Sequence, residues 1–182
     1  MTEELLQNIA PPDREKEAET HYNLGLQHEM EGWLDEAIRE YEEALKLNPD
    51  SLATCYRLGV TYYYKGLVDE VIECFQRIQK LRPGNAVAHY HLGTAYFRKG
   101  LVDEAIHEYQ QALIQNPSYW AVHYLLGLAY FEKGFQDKAE EQLKKTLKLI
   151  PHHTQAKEKL DEIRRKAHPS SEEKQLSFED KG

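Results

Sequence analysis

Histidine, cysteine and carboxylate side chains are where chemistry would begin in this chain of 182 residues. Three histidines, His21, His89 and His123, sit at multiples of one spacing, and Cys55 fills the remaining place in the column. These are zinc-ligand types. Ligands on one zinc ion must converge to about 2.0–2.3 Å from it. Residues recurring once per helical unit stand at least one helix spacing apart, roughly 8–10 Å. The column cannot share one ion, so it reads as packing, with no metal. His89 and His91 are at i, i+2 and do not face each other on a helix, and His152-His153 is a weak pair in a loop. Cys55 and Cys74 make no CxxC and no disulfide framework, and both read as small buried hydrophobes. Nothing matches a phosphate-cradling glycine loop, a GxSxG elbow or an HExxH helix. The expectation is no enzyme and no cofactor.

A second column at the same spacing is aromatic: Tyr22, Tyr56, Tyr90 and Tyr124. Tyr63, Phe97 and Phe131 follow seven residues after the last three. Side chains of this kind do recognition chemistry, each burying about 150–250 Å² when covered. Their spacing belongs to the whole chain. The stretch from Ala86 to Tyr119 lands on a copy of itself when moved 34 residues either way. Gly93 falls on Gly25, Gly59 and Gly127; Pro117 falls on Pro49, Pro83 and Pro151. The hexapeptide KGLVDE occurs unchanged at residues 65–70 and 99–104. Copies without insertion or deletion mean a repeat array.

Each copy reads as helix, turn, helix. In the third, Ala88, His89, Leu92, Gly93 and Tyr96 form one helical stripe. Gly100 breaks the helix, and Asp103 and Glu104 sit where negative charge suits the next helix N-terminus. The second stripe is Leu101, Ala105, Ile106, Tyr109, Ala112 and Leu113, ended by Asn116-Pro117-Ser118. Glycine inside a helix costs about 1 kcal/mol against alanine. The column Gly25, Gly59, Gly93, Gly127 therefore implies close helix approach, with Ala37, Ala105 and Ala139 as the expected small partners and Val71 as the exception.

The segments in order are an acidic 1–17, units at 18–51, 52–85, 86–119 and 120–153, one more helix at 154–168 and a polar, disordered tail at 169–182. In the first segment Leu5, Leu6 and Ile9 suit a short helix that Pro11-Pro12 would end, with a new helix opening at Pro12-Asp13. The last helix has a narrow stripe of Ala156, Leu160, Ile163 and Ala167 amid charge.

The pattern Leu92-Gly93-x-x-Tyr96, Gly100, Ala105, Tyr109, Ala112, Pro117 resembles the tetratricopeptide repeat (TPR), in four copies over residues 18–151. The resemblance implies an all-α solenoid, a right-handed superhelix of antiparallel helix pairs, with 154–168 as its capping helix. It also implies ligand binding in a concave groove lined by the first helix of each pair. On those helices one stripe packs within the unit and the neighbouring one faces the groove. That places Tyr22, Tyr56, Tyr63, Tyr90, Phe97, Tyr124 and Phe131 there as anchors, with Arg57, His91 and Arg98 as polar selectors. If the seven rings expose half their area, the patch is roughly 500–900 Å², above the roughly 300–600 Å² of a typical monomer's largest patch. TPR domains that clamp a C-terminal carboxylate use lysines, asparagines and an arginine; the matching positions here hold Tyr22, Leu26, Arg57, Val87 and His91, or Tyr56, Val60, His91, Ala121 and Leu125. The asparagine ladder of O-GlcNAc-transferase-type arrays is replaced by Asn23, Arg57, His91 and Leu125.

Charge narrows the partners. The net charge is −8, which disfavours nucleic acid and anionic membrane. Residues 1–51 carry 14 acids and 4 bases, a net of −10, against +2 for the rest, so a basic segment of a ligand would be drawn to the N-terminal end. The start lacks a basic n-region and a long apolar run, and no run approaches the roughly 18 apolar residues of a span. The expectation is a cytoplasmic scaffold that binds a protein or peptide containing apolar or aromatic side chains. The alternative is a homo-oligomer whose groove holds Leu5, Leu6 and Ile9, or Leu176 and Phe178, from its own or a neighbouring chain.

Overall fold

The computed structural model describes residues 11–167, all of it helix and short connections. The expected helix at Leu5, Leu6 and Ile9 and the tail from 169 lie outside the described residues. The helices are α1 (Pro11–Glu31), α2 (Leu34–Leu47), α3 (Leu52–Lys65), α4 (Val68–Leu81), α5 (Ala86–Arg98), α6 (Val102–Gln115), α7 (Trp120–Glu132), α8 (Gln136–Leu149) and α9 (Thr154–Ala167). The chain divides into two compact units, Met1–Leu101 and Val102–Gly182.

Local chemistry sets the helix ends. Ser51 and Asn85 cap α3 and α5, their side-chain oxygens accepting from the amides of Thr54 at 3.3 Å and Ala88 at 2.9 Å, which satisfies donors the first turn leaves open. Gly66 closes α3 at φ 77°, a left-handed turn other residues enter at a cost. Asp35 and Glu36, Asp69 and Glu70, and Asp103 and Glu104 occupy the first turns of α2, α4 and α6, where the helix dipole favours them. Proline opens α1 at Pro11, one residue before the expected start, its missing N–H being no loss in a first turn.

In unit 1 two apolar clusters join the helices. Ala37, Ile38 and Tyr41 of α2 meet Leu58 and Cys74. Cys55, Val71, Phe75 and Ile78 meet Ala88, Leu92 and Ala95 of α5. In unit 2 the buried set is Ala105, Tyr109 and Ala112 of α6, Val122, Leu126 and Ala129 of α7, Ala139 and Leu143 of α8, and Ala156, Leu160 and Ile163 of α9. Leu101 departs from the expected stripe: it precedes α6 and is exposed, because the helix begins one residue later.

The glycine column packs closely, but chiefly against a bulky column and not the expected alanines. A Cβ on Gly25 would stand 2.5 Å from the Tyr41 ring, and one on Gly59 2.7 Å from the Phe75 ring. At Gly127 it would meet Leu143 at 3.0 Å, with the Ala139 carbonyl further off at 3.4 Å. The glycines make room for the largest side chain of the partner helix.

Two polar ladders tie each helix pair to the next within the units. Lys65 pairs with Asp35 and Lys99 with Asp69 in unit 1, and Lys133 with Asp103 at 2.9 Å in unit 2. The Tyr62 hydroxyl donates to Glu42 at 2.6 Å, while the Gln76 and Gln110 amides donate to the hydroxyls of Tyr96 at 3.2 Å and Tyr130 at 2.9 Å. Both recur at the repeat period, so they fix the register of one pair on the next. Each exposed ion pair contributes little alone.

Candidate peptide-binding face

The histidine column has local partners. His21 Nδ1 lies 2.7 Å from a Glu40 carboxylate oxygen. His89 Nε2 is 3.1 Å from the Pro83 carbonyl and its Nδ1 3.2 Å from the Gln79 amide. His123 Nε2 is 2.9 Å from the Pro117 carbonyl and its Nδ1 2.8 Å from the Gln142 amide group. His21 and His123 thus tie α1 and α7 to the second helix of their own pair, while His89 ties α5 back to α4, and His89 and His123 both reach the loop before their helix. Cys55 and Cys74 occupy the corresponding places in the second pair and are buried. Among the described residues no group of three or more His, Cys, Asp or Glu is placed to hold a metal ion.

Unit 1 brings together most of the aromatic column. Tyr22, Tyr63, Tyr90 and Phe97 are half-buried, and Tyr56 is 37% exposed. Tyr56 sits edge-on to His91, with ring centroids 5.6 Å apart, and Tyr90 lies 4.7 Å from the same ring. Burial raises the Tyr90 phenol pKa, and the nearby Tyr63 and Tyr56 add to the rise. His91 stacks flat on Phe75 at 4.2 Å and 11°. Its desolvation there brings its pKa down to about 4, so near neutral pH it is an uncharged ring on an aromatic floor. Arg98 lies over the Tyr63 ring at 4.8 Å, a cation–π arrangement that leaves its exposed edge able to donate. Arg57 is 3.6 Å from Glu29, which also accepts from the Tyr41 hydroxyl at 2.7 Å. Glu29 therefore already partners Arg57. Tyr64, outside the two repeating aromatic columns, adds an exposed ring 6.1 Å from Tyr63.

Unit 2 treats its two anchors differently. The ammonium groups of Lys159 and Lys166 both lie over the Phe131 ring, at 4.6 and 4.7 Å from its centroid. Glu162 holds both lysines, at 2.6 and 2.9 Å, and they pull its carboxyl down to about 2. Tyr124 packs on His153 at 4.6 Å. The charged side of α9 thus reaches over the aromatic residues of α7. In the sequence Lys159, Glu162 and Lys166 belong only to the charge around the stripe of the last helix, and nothing there points to Phe131 as their partner.

Antiparallel helix pairs at a 34-residue period, registered by repeating polar links and presenting aromatic side chains on their first helices, define a helical-repeat interaction scaffold. Family models described as tetratricopeptide repeat or TPR repeat match residues 18–51, 56–113, 95–134 and 121–153, and the chain belongs to the TPR family. It is similar to a solved MamA protein, with 32% identity over 81% of each chain and a TM-score of 0.78. A thermophilic TPR protein of Thermus thermophilus shares 28% identity over 83% of each chain, with a TM-score of 0.64. The first TPR of Spaghetti (RPAP3), solved bound to the HSP90 peptide SRMEEVD, shares 25% identity over 64% of this chain and 92% of its own, with a TM-score of 0.62. No curated protein matches the sequence. The fold is all-α, and the family's general role is protein–protein interaction without enzymatic chemistry. Among the described residues no helix is long and apolar enough to cross a membrane.

Proposed function

We propose that this chain is an adaptor that binds an apolar or aromatic-containing peptide segment of a partner protein. The face used is built on Tyr22, Tyr56, Tyr63, Tyr90 and Phe97 of unit 1. In unit 2, Tyr124 and Phe131 offer a separate surface, against which α9 and the loop before it pack. One observation carries the reading: Tyr56 and Tyr90 meet on an uncharged His91, and Tyr63, near Tyr90, carries a stacked Arg98. Such a surface rewards burial of apolar side chains. Arg98 can select a carbonyl or carboxylate on the ligand, and Arg57 can do so by exchanging Glu29 for it. The HSP90 peptide of the Spaghetti complex ends in a carboxylate. The lysines and asparagines that would clamp such an end are replaced here by Tyr22, Leu26, Val87 and their equivalents, so selection falls to side chains instead.

Selection of displayed random peptides on the purified full chain tests this. Aromatic or aliphatic sequences should be enriched and bind at about micromolar affinity. The Tyr90→Ala/Phe97→Ala variant, shown folded by circular dichroism, should lose them at least about tenfold. Peptides that bind this variant and the parent equally would refute the assignment of the face. Tyr90→Phe, which keeps the ring, should bind nearly as the parent does.

A further inference from the structure

A second apolar opening lies away from the aromatic face, in unit 2. Between α6, α7 and α8 there is a cavity of about 740 Å³ whose wall includes Leu113, Ile114, Leu126 and Leu149, with Lys145 and Lys148 at its edge. The volume is that of a ligand pocket, about 300–1,000 Å³. It borders α7 along His123, Leu126 and Tyr130. At 3.6 residues per turn these sit about 120° round the helix from Tyr124 and Phe131, so the two surfaces are separate.

The repeat supplies an internal control. Two periods earlier, in unit 1, the equivalent cavity holds only about 310 Å³ and has Glu42, Glu70 and Glu73 in its wall. In unit 2 Gln110 stands for Glu42, Ile114 for Lys46 and Lys145 for Arg77. No residue lining the larger cavity is acidic. Ile114 is 66% exposed and Leu149 39%. Lys145 is paired with Glu141 at 2.6 Å, whereas among the described residues Lys148 pairs with no carboxylate. Relative to the earlier copy, apolar surface has been added and the acidic lining removed, while Lys145 and Lys148 keep the positive charge of Arg77 and Lys80.

We propose that this cavity receives the chain's own residues 172–180, EEKQLSFED. In an extended segment Leu176 and Phe178, at i and i+2, point to one side and would seat on Leu113, Ile114 and Leu149. Glu172, Glu173, Glu179 and Asp180 flank them against one Lys174, and this excess of negative charge complements Lys145 and Lys148. The reach is sufficient. Arg164, near the end of α9, is 3.2 Å from Glu140 of α8. From Glu140 to the level of Leu149 is about 14 Å along the helix and about 10–12 Å across it, roughly 18 Å in all. The nine residues from Ala167 to Leu176 extend to about 30 Å.

Hydrogen exchange by mass spectrometry on the full chain tests the docking. Amides 174–179 should exchange at least about tenfold more slowly than in Ile114→Glu/Lys148→Glu, whose substituted side chains are exposed and leave the fold unchanged by circular dichroism. Leu176→Ser/Phe178→Ser, which alters only the segment itself, should lose the protection equally. Unprotected amides in the parent chain would overturn the proposal. So would protection that survives the cavity variant but disappears in Tyr90→Ala/Phe97→Ala, placing the segment on the aromatic face. Protection that grows with protein concentration would assign the site to a second copy and overturn docking within the chain.

Discussion

Replacing Gly59 by alanine sets two physical effects against each other with opposite signs. Alanine in mid-helix should stabilise α3 by about 1 kcal/mol through propensity alone. The structure opposes this. The added Cβ would stand 3.0 Å from the Cys74 Cβ and 2.7 Å from the Phe75 ring, where ordinary contact begins at 3.4 Å. Cys74 Cβ is fixed to the α4 backbone, so the two helices must part by about half an ångström or Phe75 must leave its place. Phe75 is fully buried and carries the His91 stack, so it has nowhere to go. Overpacking of this kind costs about 1–3 kcal/mol. The net expectation is a loss of about 1 kcal/mol or more.

Urea unfolding of the full chain, followed by far-ultraviolet circular dichroism with the slope compared as well as the midpoint, reads this directly. Gly127→Ala is the control. Its Cβ would meet the Leu143 side chain at 3.0 and 3.2 Å, and a leucine can shift where a fixed Cβ cannot, so its net effect should be near zero. Adding Phe75→Leu, which imitates the Gly127 environment, should recover part of the Gly59→Ala loss, with a coupling of about 1 kcal/mol. A Gly59→Ala midpoint raised at unchanged slope would mean that propensity wins. The account of the glycine column as room for the bulky residue opposite would then fail.

Stability should also fall on acidification through His91. Its folded-state pKa, about 4 against 6.5, lies below the unfolded one, so its contribution is present above pH 6.5 and lost as pH falls through about 4; it amounts to at most about 3 kcal/mol, and His91→Phe should flatten the urea midpoint across that window. Glu162 acts at lower pH: its carboxyl is held at about 2 against 4.5, by Lys159 and then Lys166, so its hold on the lysines over Phe131 is complete above pH 4.5 and lost as pH falls through about 2. Amide resonances of α9 should follow that titration, and Glu162→Gln should abolish it. The thiols should be inert in the folded chain, since burial and the neighbouring Cys55 push Cys74 up to about 12 and Cys55 is itself fully buried. Reaction with a disulfide reagent at the rate of global unfolding is expected, and a fast phase from either cysteine would contradict the packing described for α3 and α4.

The helix-turn-helix units were legible because a 34-residue period carries its own evidence: glycine, proline and aromatic positions repeat together. Which column faces the glycines was not. Choosing Tyr41, Phe75 and Leu143 over Ala37 and Ala139 depends on how far one helix is rotated about its axis against the other, and a stripe broad enough to include both columns leaves that angle open. The same holds for α9. Its lysines and glutamate were readable as a charged, solvated side, but the ring the lysines cover belongs to another helix. A candidate face assembled from two columns of aromatics therefore counted seven anchors alike, where Tyr124 and Phe131 differ in packing against His153 and α9.

The polar ladder shows a further limit, and it bears on self-assembly. Within KGLVDE, Lys65 and Asp69 are four residues apart and would pair on a continuous helix. The left-handed turn at Gly66 separates them, so Lys65 reaches back to Asp35 and Asp69 is met by Lys99. One motif thus supplies both halves of a link between successive pairs. At its two ends the ladder changes character. Glu31 takes the lysine position in the first copy, and Asp137 is the fourth copy's acid, which no lysine of a following copy meets. A second copy continuing the array end to end in this register would bring Glu31 against Asp137, carboxylate to carboxylate, at the place where every internal junction has a salt bridge. Like charges in that position oppose the contact. The ladder therefore gives end-to-end growth in this register no salt bridge at the added junction, a small bias set by one exposed pair.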